Sequence, residues 1–574
     1  MGLLKTITEG GQLWAHRVRM AKQVLKIATY VYLVISALFF YYRLTTIPAV
    51  YGPCYQASLH YINAKFLSNP SDTISVNSKF WGQITGRTAS KNDISLKAET
   101  VAKACEKYAR YTQKHLFQSI NHTLSLGSYI FALSILFFLL RGWLARKKQH
   151  VEGKQIVSPL WLSLKLRLKR CASPIKLRTL PFVKGTETHH TLVSGATGTG
   201  KTTLFHTLLP QIRECGQKAI IVDLSGEYVE KYYRQGKDIL LNPFDARSVS
   251  WHPWCEARDT KEFEAIAQSF IPSSYREDEK FWRDGAQTIF STALEETAYS
   301  AKTSVLSKLM IRDSLATLST ILKDTKASAY LDLSTEKTAG SFRAVAASFL
   351  GCLEHIPDTE NPFSIKKWVT EDTSDSWLFL FCTPQQRANI TSLLGAWLSI
   401  AISSLLSLTP DLDRRFWFVI DELPRLNRLR QLESFLTESR KYGGCGLFAI
   451  QSPAQLEAIY GREITSTMMG NFCTRVAFAE HDALIAKRIA ESFGDKEIKE
   501  SNEALSYGAH EMRDGVNLSY QTKTSRVVSP TALQSLNNLE AFVSLPGNLP
   551  ISKIQLKFIN LPKQSVPFIA KEST

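Results

Sequence analysis

An α/β fold carried on a pair of membrane-crossing helices is the architecture this sequence predicts, and three observations predict it. Two runs without a charge, Ile27 to Tyr42 and Leu124 to Leu140, lie in the first quarter of the 574 residues. A glycine-rich turn, Gly195 to Thr202, stands between a short apolar run and a helical one. Far beyond it, five apolar residues, Phe416 to Ile420, end in the pair Asp421-Glu422. With 44% apolar and 21% charged residues the chain is a folded one, long enough for two or three units, and wholesale disorder is excluded.

The apolar runs come first. They hold sixteen and seventeen residues, at the short end of the ~17–25 needed to cross a bilayer, and their flanks extend them to spans at about 24–43 and 122–141. Tyr41, Tyr42 and Arg43 beside the first, and Arg141 and Trp143 beside the second, suit an interface. The first run starts late and lacks a small-x-small cleavage site, so it reads as retained rather than as a signal peptide. Leu124–Leu140 is apolar on every face, which argues for a span over a core helix. Lys5, Arg17, Arg19, Lys22 and Lys26 precede the first span, and residues 141–170 hold nine Lys/Arg against the single acid Glu152. Both termini are therefore expected in the cytoplasm of a multi-pass protein of a bacterial inner membrane, with residues 44–121 forming a periplasmic loop. The net charge of +17 suits an anionic partner, nucleic acid or acidic lipid.

Nine cysteines without a Cys-x-x-Cys pair give a zinc site no support, so the expected metal is the one a nucleotide brings. Cys54 and Cys105, alone between the spans, are either a disulfide or two free thiols.

After the second span, Ser163 to Lys169 alternates apolar and basic residues and predicts a half-exposed strand. His190 to Ser194 predicts another, leading into Gly195-Ala196-Thr197-Gly198-Thr199-Gly200-Lys201-Thr202, a complete phosphate-loop pattern with Thr203 to Ile212 as the following helix. Residues 195–203 are the expected nucleotide cradle. Loop amides and helix N-terminus converge on phosphates, Lys201 reaches the β/γ-phosphates and Thr202 holds Mg²⁺. Ala219 to Asp223 reads as the next parallel strand; Leu224-Ser225-Gly226-Glu227 after it looks like a transporter signature but lies too close to Lys201 to be one. At the Phe416 strand, Asp421 completes the Mg²⁺ shell and Glu422 polarises the attacking water. Gly446 to Gln451 is a further buried strand whose terminal Gln451 can sense the γ-phosphate, and Arg440 is either a solvated helix-end cation or a group for a neighbouring subunit's nucleotide. ATP and Mg²⁺ are thus the expected substrate and metal.

In their order, the two spans, the phosphate loop, Val419-Ile420-Asp421-Glu422-Leu423-Pro424, Arg440 to Gly444, Gln451-Ser452 and Tyr507 to Gly515 resemble the coupling proteins of conjugative type IV secretion, within them the TraD group. The resemblance spans nearly the whole chain. It implies a RecA-like nucleotide-binding domain, residues 151–261 and 357–574, interrupted by an all-α domain at 262–356 and preceded by an anchor at 1–150. It also implies a homo-hexamer that couples relaxase-bound single-stranded DNA of a plasmid or integrative element, the relaxosome, to the proteins of a type IV secretion channel by ATP hydrolysis. Arg440 then matches the arginine finger and Gln451 the nucleotide sensor, and Arg475 belongs to the subunit interface or to a salt bridge. Phe263 to Ala267 and Asp284 to Phe290 carry the helical periodicity of the inserted domain, and Trp377 to Phe381 returns to strand. The F-plasmid member has a long C-terminal tail for relaxosome contact; this sequence ends at Thr574 soon after the strand-like Lys553 to Phe558, so docking through such a tail is not expected. Two other functions stay in view: a receptor for secreted effector proteins without DNA, and a structural adaptor of the channel.

Overall fold

The computed structural model describes residues 2–87, 92–145, 149–274, 276–506 and 515–571. Its contacts divide the chain into two units, one of Met1–Gln149 with Glu503–Leu518 and one of His150–Asn502 with Ser519–Thr574.

In the first unit the charge-free runs belong to far longer helices, the first in the middle of α1 (Gly2–Ile62) and the second near the C-terminal end of α3 (Ala98–Ala145). Between them stand β1 (Thr73–Val76), α2 (Ser78–Thr85) and β2 (Ile94–Lys97), with β1 and β2 antiparallel. The stretches long and apolar enough to cross a membrane are Val18–Thr45 and Ala98–Arg141. Their large side chains point outward: Leu38, Leu133 and Leu139 are more than three-fifths exposed, which suits hydrocarbon and not water. The helices meet instead through a small residue. A Cβ at Gly127 would lie 2.5 Å from the Tyr32 ring and from Ser36 Oγ. The expected loop is mostly helical extension, closed by a small core of Ala57, Val76, Phe80, Val101 and Cys105. Cys54 and Cys105 are free thiols. Thr112 is the α3 residue level with Cys54, donating its hydroxyl to the Cys54 carbonyl at 3.0 Å. Cys105 lies seven residues back, about 10 Å along the helix, beyond disulfide reach.

The second unit begins at His150, within β3 (Gln149–Gly153), and continues with β4 (Ile156–Val157) and α4 (Pro159–Leu168). Here the expectation of a strand at Ser163–Lys169 is wrong. Ser158 is extended and Pro159 opens a helix, the proline's fixed φ suiting a first turn. Only Leu162, Ser163 and Leu166 turn inward, at helical spacing, while Leu164 and Leu168 face out. The period-two pattern arose because apolar residues occupy both sides of this helix.

A hairpin follows, β5 (Ala172–Leu177) and β6 (Leu180–Val183), then β7 (Thr191–Ser194), α5 (Lys201–Glu214), β8 (Lys218–Asp223), α6 (Glu227–Tyr232) and β9 (Ile239–Leu241). Between β9 and the next strand the chain is helical: α7 (Thr260–Phe270), α8 (Glu277–Glu296), α9 (Thr303–Ser307), α10 (Leu315–Ile321), α11 (Glu336–Leu350) and α12 (Ile365–Thr370). The helical stretch thus reaches further on both sides than 262–356. The sheet resumes with β10 (Trp377–Phe381), α13 (Arg387–Leu406), β11 (Phe416–Ile420), α14 (Leu432–Glu438), β12 (Gly444–Ile450), α15 (Pro453–Tyr460), α16 (Arg462–Asn471) and β13 (Thr474–Ala477). Last come α17 (Ala483–Glu491), β14 (Asp495–Ser506) and β15 (Gly515–Arg526), of which 503–506 and 515–518 count with the first unit, then α18 (Pro530–Gln534), β16 (Glu540–Ser544) and β17 (Ile551–Gln555).

Strand order in the large sheet is β4-β17-β16-β13-β7-β12-β11-β8-β10-β9. From β13 to β9 all neighbours are parallel. Parallel strands are covered on both faces, and β8, β10, β11 and β12 are accordingly near-continuous apolar runs. Alternation divides each between two cores: Trp377, Phe379 and Phe381 pack with α5 and α6, whereas Leu378 and Leu380 pack with the helices inserted after β9. α13 is also apolar enough to cross a membrane, but 72% of its apolar window is buried. Trp397 on α13 meets Trp251 edge-on at 5.7 Å, so α13 is a core helix.

Candidate nucleotide site

Because β7, β12 and β11 are parallel neighbours, their C-terminal ends open on one edge of the sheet, where α/β folds bind ligands. The turn from β7 to α5 is residues 195–200, with Gly195, Gly198 and Gly200 at φ 147°, 78° and 121°. Space matters as well as conformation. A Cβ on Gly195 would lie 2.7 Å from Phe478 Cβ, and one on Gly200 would lie 2.9 Å from Leu539 Cδ2. The turn is braced from within by Thr199, whose hydroxyl donates to the Ala196 carbonyl at 2.7 Å. Lys201 Nζ donates to the carbonyls of Gly195 and Ala196 at 2.8 and 2.9 Å. Burial holds its ammonium below the ordinary lysine range, against the opposing pull of Asp421, Glu422 and Glu480.

Asp421 and Glu422 leave β11 beside that turn. Thr202 Oγ1 donates to Asp421 Oδ2 at 2.9 Å, and the buried Tyr228 hydroxyl donates to the same oxygen at 2.7 Å. Burial pushes the Asp421 carboxyl up, an effect a bound cation reverses. A hydroxyl and a carboxylate oxygen side by side are the hard donors Mg²⁺ takes, so the residues present fit it. Glu422 is held from two sides, by Arg425 Nε at 2.5 Å and by Gln451 Nε2 at 3.1 Å. The cleft between them is about 590 Å³, lined by Thr197, Gly198, Gly200, Lys201, Thr202 and Thr203 on one wall and by Asp421, Glu422 and Gln451 on the other.

Two expected residues lie elsewhere. Arg440 is exposed just ahead of β12, whereas Gln451 follows its end, so a strand length of about 20 Å separates them. Arg440 therefore does not meet the cleft of its own chain. Arg475 forms no salt bridge among the described residues: its guanidinium donates to the carbonyls of Phe472 at 3.1 Å, Met469 at 2.9 Å and Ser492, tying the ends of α16 and α17 together. Tyr507 to Asp514 lies outside the described residues. Asp223 at the end of β8 accepts from the backbone amides of Gly226, Tyr228 and Val229, each at 2.8 Å, and so caps α6 rather than facing the cleft.

Sequence reasoning missed Glu227, Tyr228, Arg387, Arg425, Leu539 and Phe558, all of which line the cleft. Glu227 and Tyr228 follow the end of a parallel strand, the signal that found Asp421. Glu227 accepts from His206 Nε2 at 3.0 Å and Lys231 Nζ at 2.5 Å, and those two groups hold its carboxyl at about 2. Leu539 and Phe558 had no such signal, since only the folded chain brings them to residue 200.

A family model described as the type IV secretion-system coupling protein DNA-binding domain matches residues 174–557. The chain is 31% identical to the coupling protein TraD of Escherichia coli K12 over 99% of its own length and 80% of that protein's. Among solved structures, the unbound conjugative coupling protein TrwB lacking its first seventy residues superposes with TM-score 0.67 at 27% identity, covering 74% of this chain and 96% of that one. TrwB in complex with ADP and Mg²⁺ matches with TM-score 0.66 at 27% identity, over 74% and 98%. The likeness shows a RecA-like phosphate-loop fold with an all-α insertion, preceded here by two long apolar helices. The cleft, the sheet behind it and these relatives give one answer: the chain belongs to the type IV secretion-system coupling proteins, in the group of TraD and TrwB.

Proposed function

We propose that this protein is a membrane-anchored ATPase that couples a relaxosome to a type IV secretion channel, working as a ring of six and driving single-stranded DNA through it. The observation that carries the reading is the convergence of Lys201, Thr202, Asp421, Glu422 and Gln451 from three adjacent parallel strands on one cleft. TrwB, on the same fold, is known in complex with a non-hydrolysable ATP analogue and with ADP and Mg²⁺. ATP is the substrate assigned here.

Residues 195–203 cradle the triphosphate, the amides and helix N-terminus facing its charge. Lys201 exchanges the carbonyls of Gly195 and Ala196 for phosphate oxygens. Thr202 and Asp421 would hold Mg²⁺, which would supply positive charge against the phosphates there. Glu422 orients and polarises the attacking water, with Gln451 and Arg425 setting the direction of its carboxylate. Gln451 senses the γ-phosphate. Arg440, at the far edge of its own sheet, serves the nucleotide of a neighbouring subunit. The domain assignment follows the same reading: anchor 1–150, nucleotide-binding domain 151–261 and 357–574, all-α domain 262–356, with both termini in the cytoplasm and 44–121 periplasmic. DNA is gripped by its backbone, since a translocase must accept every sequence.

The test is the ATPase rate of the full chain in lipid nanodiscs, with and without single-stranded DNA, at two salt concentrations. Salt-sensitive stimulation that vanishes in Lys201→Ala supports the DNA motor; hydrolysis indifferent to DNA supports an effector-protein cargo. DNA transfer undiminished in Glu422→Gln would leave only a structural adaptor.

A further inference from the structure

The helix misread as a strand has an uncovered side. Leu162 and Leu166 of α4 are buried against β6 and its neighbours, but Leu160, Trp161, Leu164 and Leu168 are each at least half exposed. At about 100° per residue these four fall within one arc of about 100°, opposite the buried pair. Lys165 and Arg167 border the arc, about 40° beyond one margin and about 20° beyond the other. Lys165 Nζ stands over the Trp161 ring at 4.9 Å, the posture of a cation reaching past an interfacial aromatic. Along the chain the flanking charge has one sign: between Glu152 and Glu187 there are eight Lys/Arg and no Asp or Glu. The chain leaves α3 at Ala145 and enters α4 at Pro159, so the intervening residues reach about 50 Å at most.

We infer that α4 is an interfacial helix whose Leu160, Trp161, Leu164 and Leu168 dip into the surface of an anionic bilayer while Lys165, Arg167 and Lys169 engage lipid phosphates. This rests on the reading of α1 and α3 as a membrane anchor. Lipid is the occupant that matches both halves of the surface, because a helix lying in the headgroup region needs apolar side chains flanked by cations on both margins. A second copy placing the same stretch face to face would set cations against cations, because residues 153–186 hold no carboxylate.

The full chain in nanodiscs containing phosphatidylglycerol is made with Leu164→p-benzoylphenylalanine, and separately with Leu168→p-benzoylphenylalanine, and irradiated. Leu133, inside a span, and the exposed Leu412 carry the same group as controls. Positions 164 and 168 are expected to give lipid adducts at least tenfold above position 412. The yield should fall several-fold in phosphatidylcholine alone and in the triple variant Lys165→Gln, Arg167→Gln, Lys169→Gln. Adducts to a second copy of the chain, or yields equal to position 412 while position 133 labels lipid, would overturn the inference and leave the anchor standing. Failure at position 133 as well would overturn the anchor reading beneath it.

Discussion

At the edge where β7, β8, β11 and β12 begin, charged groups are locked into the fold; where β7, β11 and β12 end, the charged groups of the cleft are held by bonds that a ligand can replace. Glu187, buried just before β7, accepts from Ser173 at 2.6 Å and pairs with Arg415 at 3.3 Å. Lys218, opening β8, donates to the Trp368 carbonyl at 2.9 Å and stacks 4.5 Å from that indole. His190 accepts the Gly446 amide at 3.0 Å and burial drives its imidazole down to about 3, so it stays neutral. On the other edge Lys201 leans on two loop carbonyls, Asp421 on two hydroxyls and Glu422 on a guanidinium and an amide. The contrast teaches that direction along a parallel strand sorts structural from chemical charge at β7, β11 and β12, whereas at β8 the backbone amides that Asp223 caps keep an ending-edge carboxylate structural.

Arg440 is the group that should break this division, being exposed at the beginning edge yet assigned to chemistry. On that assignment Arg440→Ala lowers the steady-state ATPase rate of the assembled protein by about 10³-fold or more while leaving fluorescent-nucleotide affinity unchanged. An unaltered rate would return Arg440 to the structural edge. Glu422→Gln, at the ending edge, is expected to lower kcat by about 10²–10⁴-fold with an unchanged denaturation midpoint. Glu187→Ala should do the opposite. It strands Arg415, only 14% exposed, at a cost of about 3–5 kcal/mol in denaturant unfolding, with kcat per folded molecule preserved.

The smallest effect concerns Glu227. Its carboxyl is held at about 2 by His206 and Lys231, below the ordinary glutamate range. A depressed carboxyl contributes stability that is present above its unfolded value and lost as pH falls through the folded one. The stability difference between the wild type and Glu227→Gln, measured by unfolding at a series of pH values, should therefore be full at pH 7 and shrink between pH 4.5 and pH 2. A difference that persists at pH 2 would place the effect in packing instead.

Local features of the site were legible. Gly195 to Thr202 is contiguous, and its spacing alone specifies a phosphate loop; Asp421, Glu422 and Gln451 could be found because each follows a buried apolar run. Tyr228 was as well placed as Asp421 but carries a side chain that reads as core until its hydroxyl is seen on a carboxylate. Leu539 and Phe558 were beyond reach, since no periodicity relates them to residue 200. At α4 the sequence misled, because Leu164 and Leu168 followed a surface that is apolar for a reason other than folding the chain. In the first unit, hydropathy located the apolar stretches but not the length of the helices that carry them, since charged residues continue a helix as well as apolar ones do.

The cleft is built from residues as far apart as Thr197 and Phe558, and Leu539 donates its amide to the Thr199 carbonyl at 2.9 Å. A ribosome adding ~5–20 residues each second needs roughly twenty seconds to over a minute to cover that interval. By then α1 and α3 have long left the exit tunnel. The order of synthesis is thus a safeguard: the nascent chain can be delivered to its membrane before it holds a finished site with which to spend ATP.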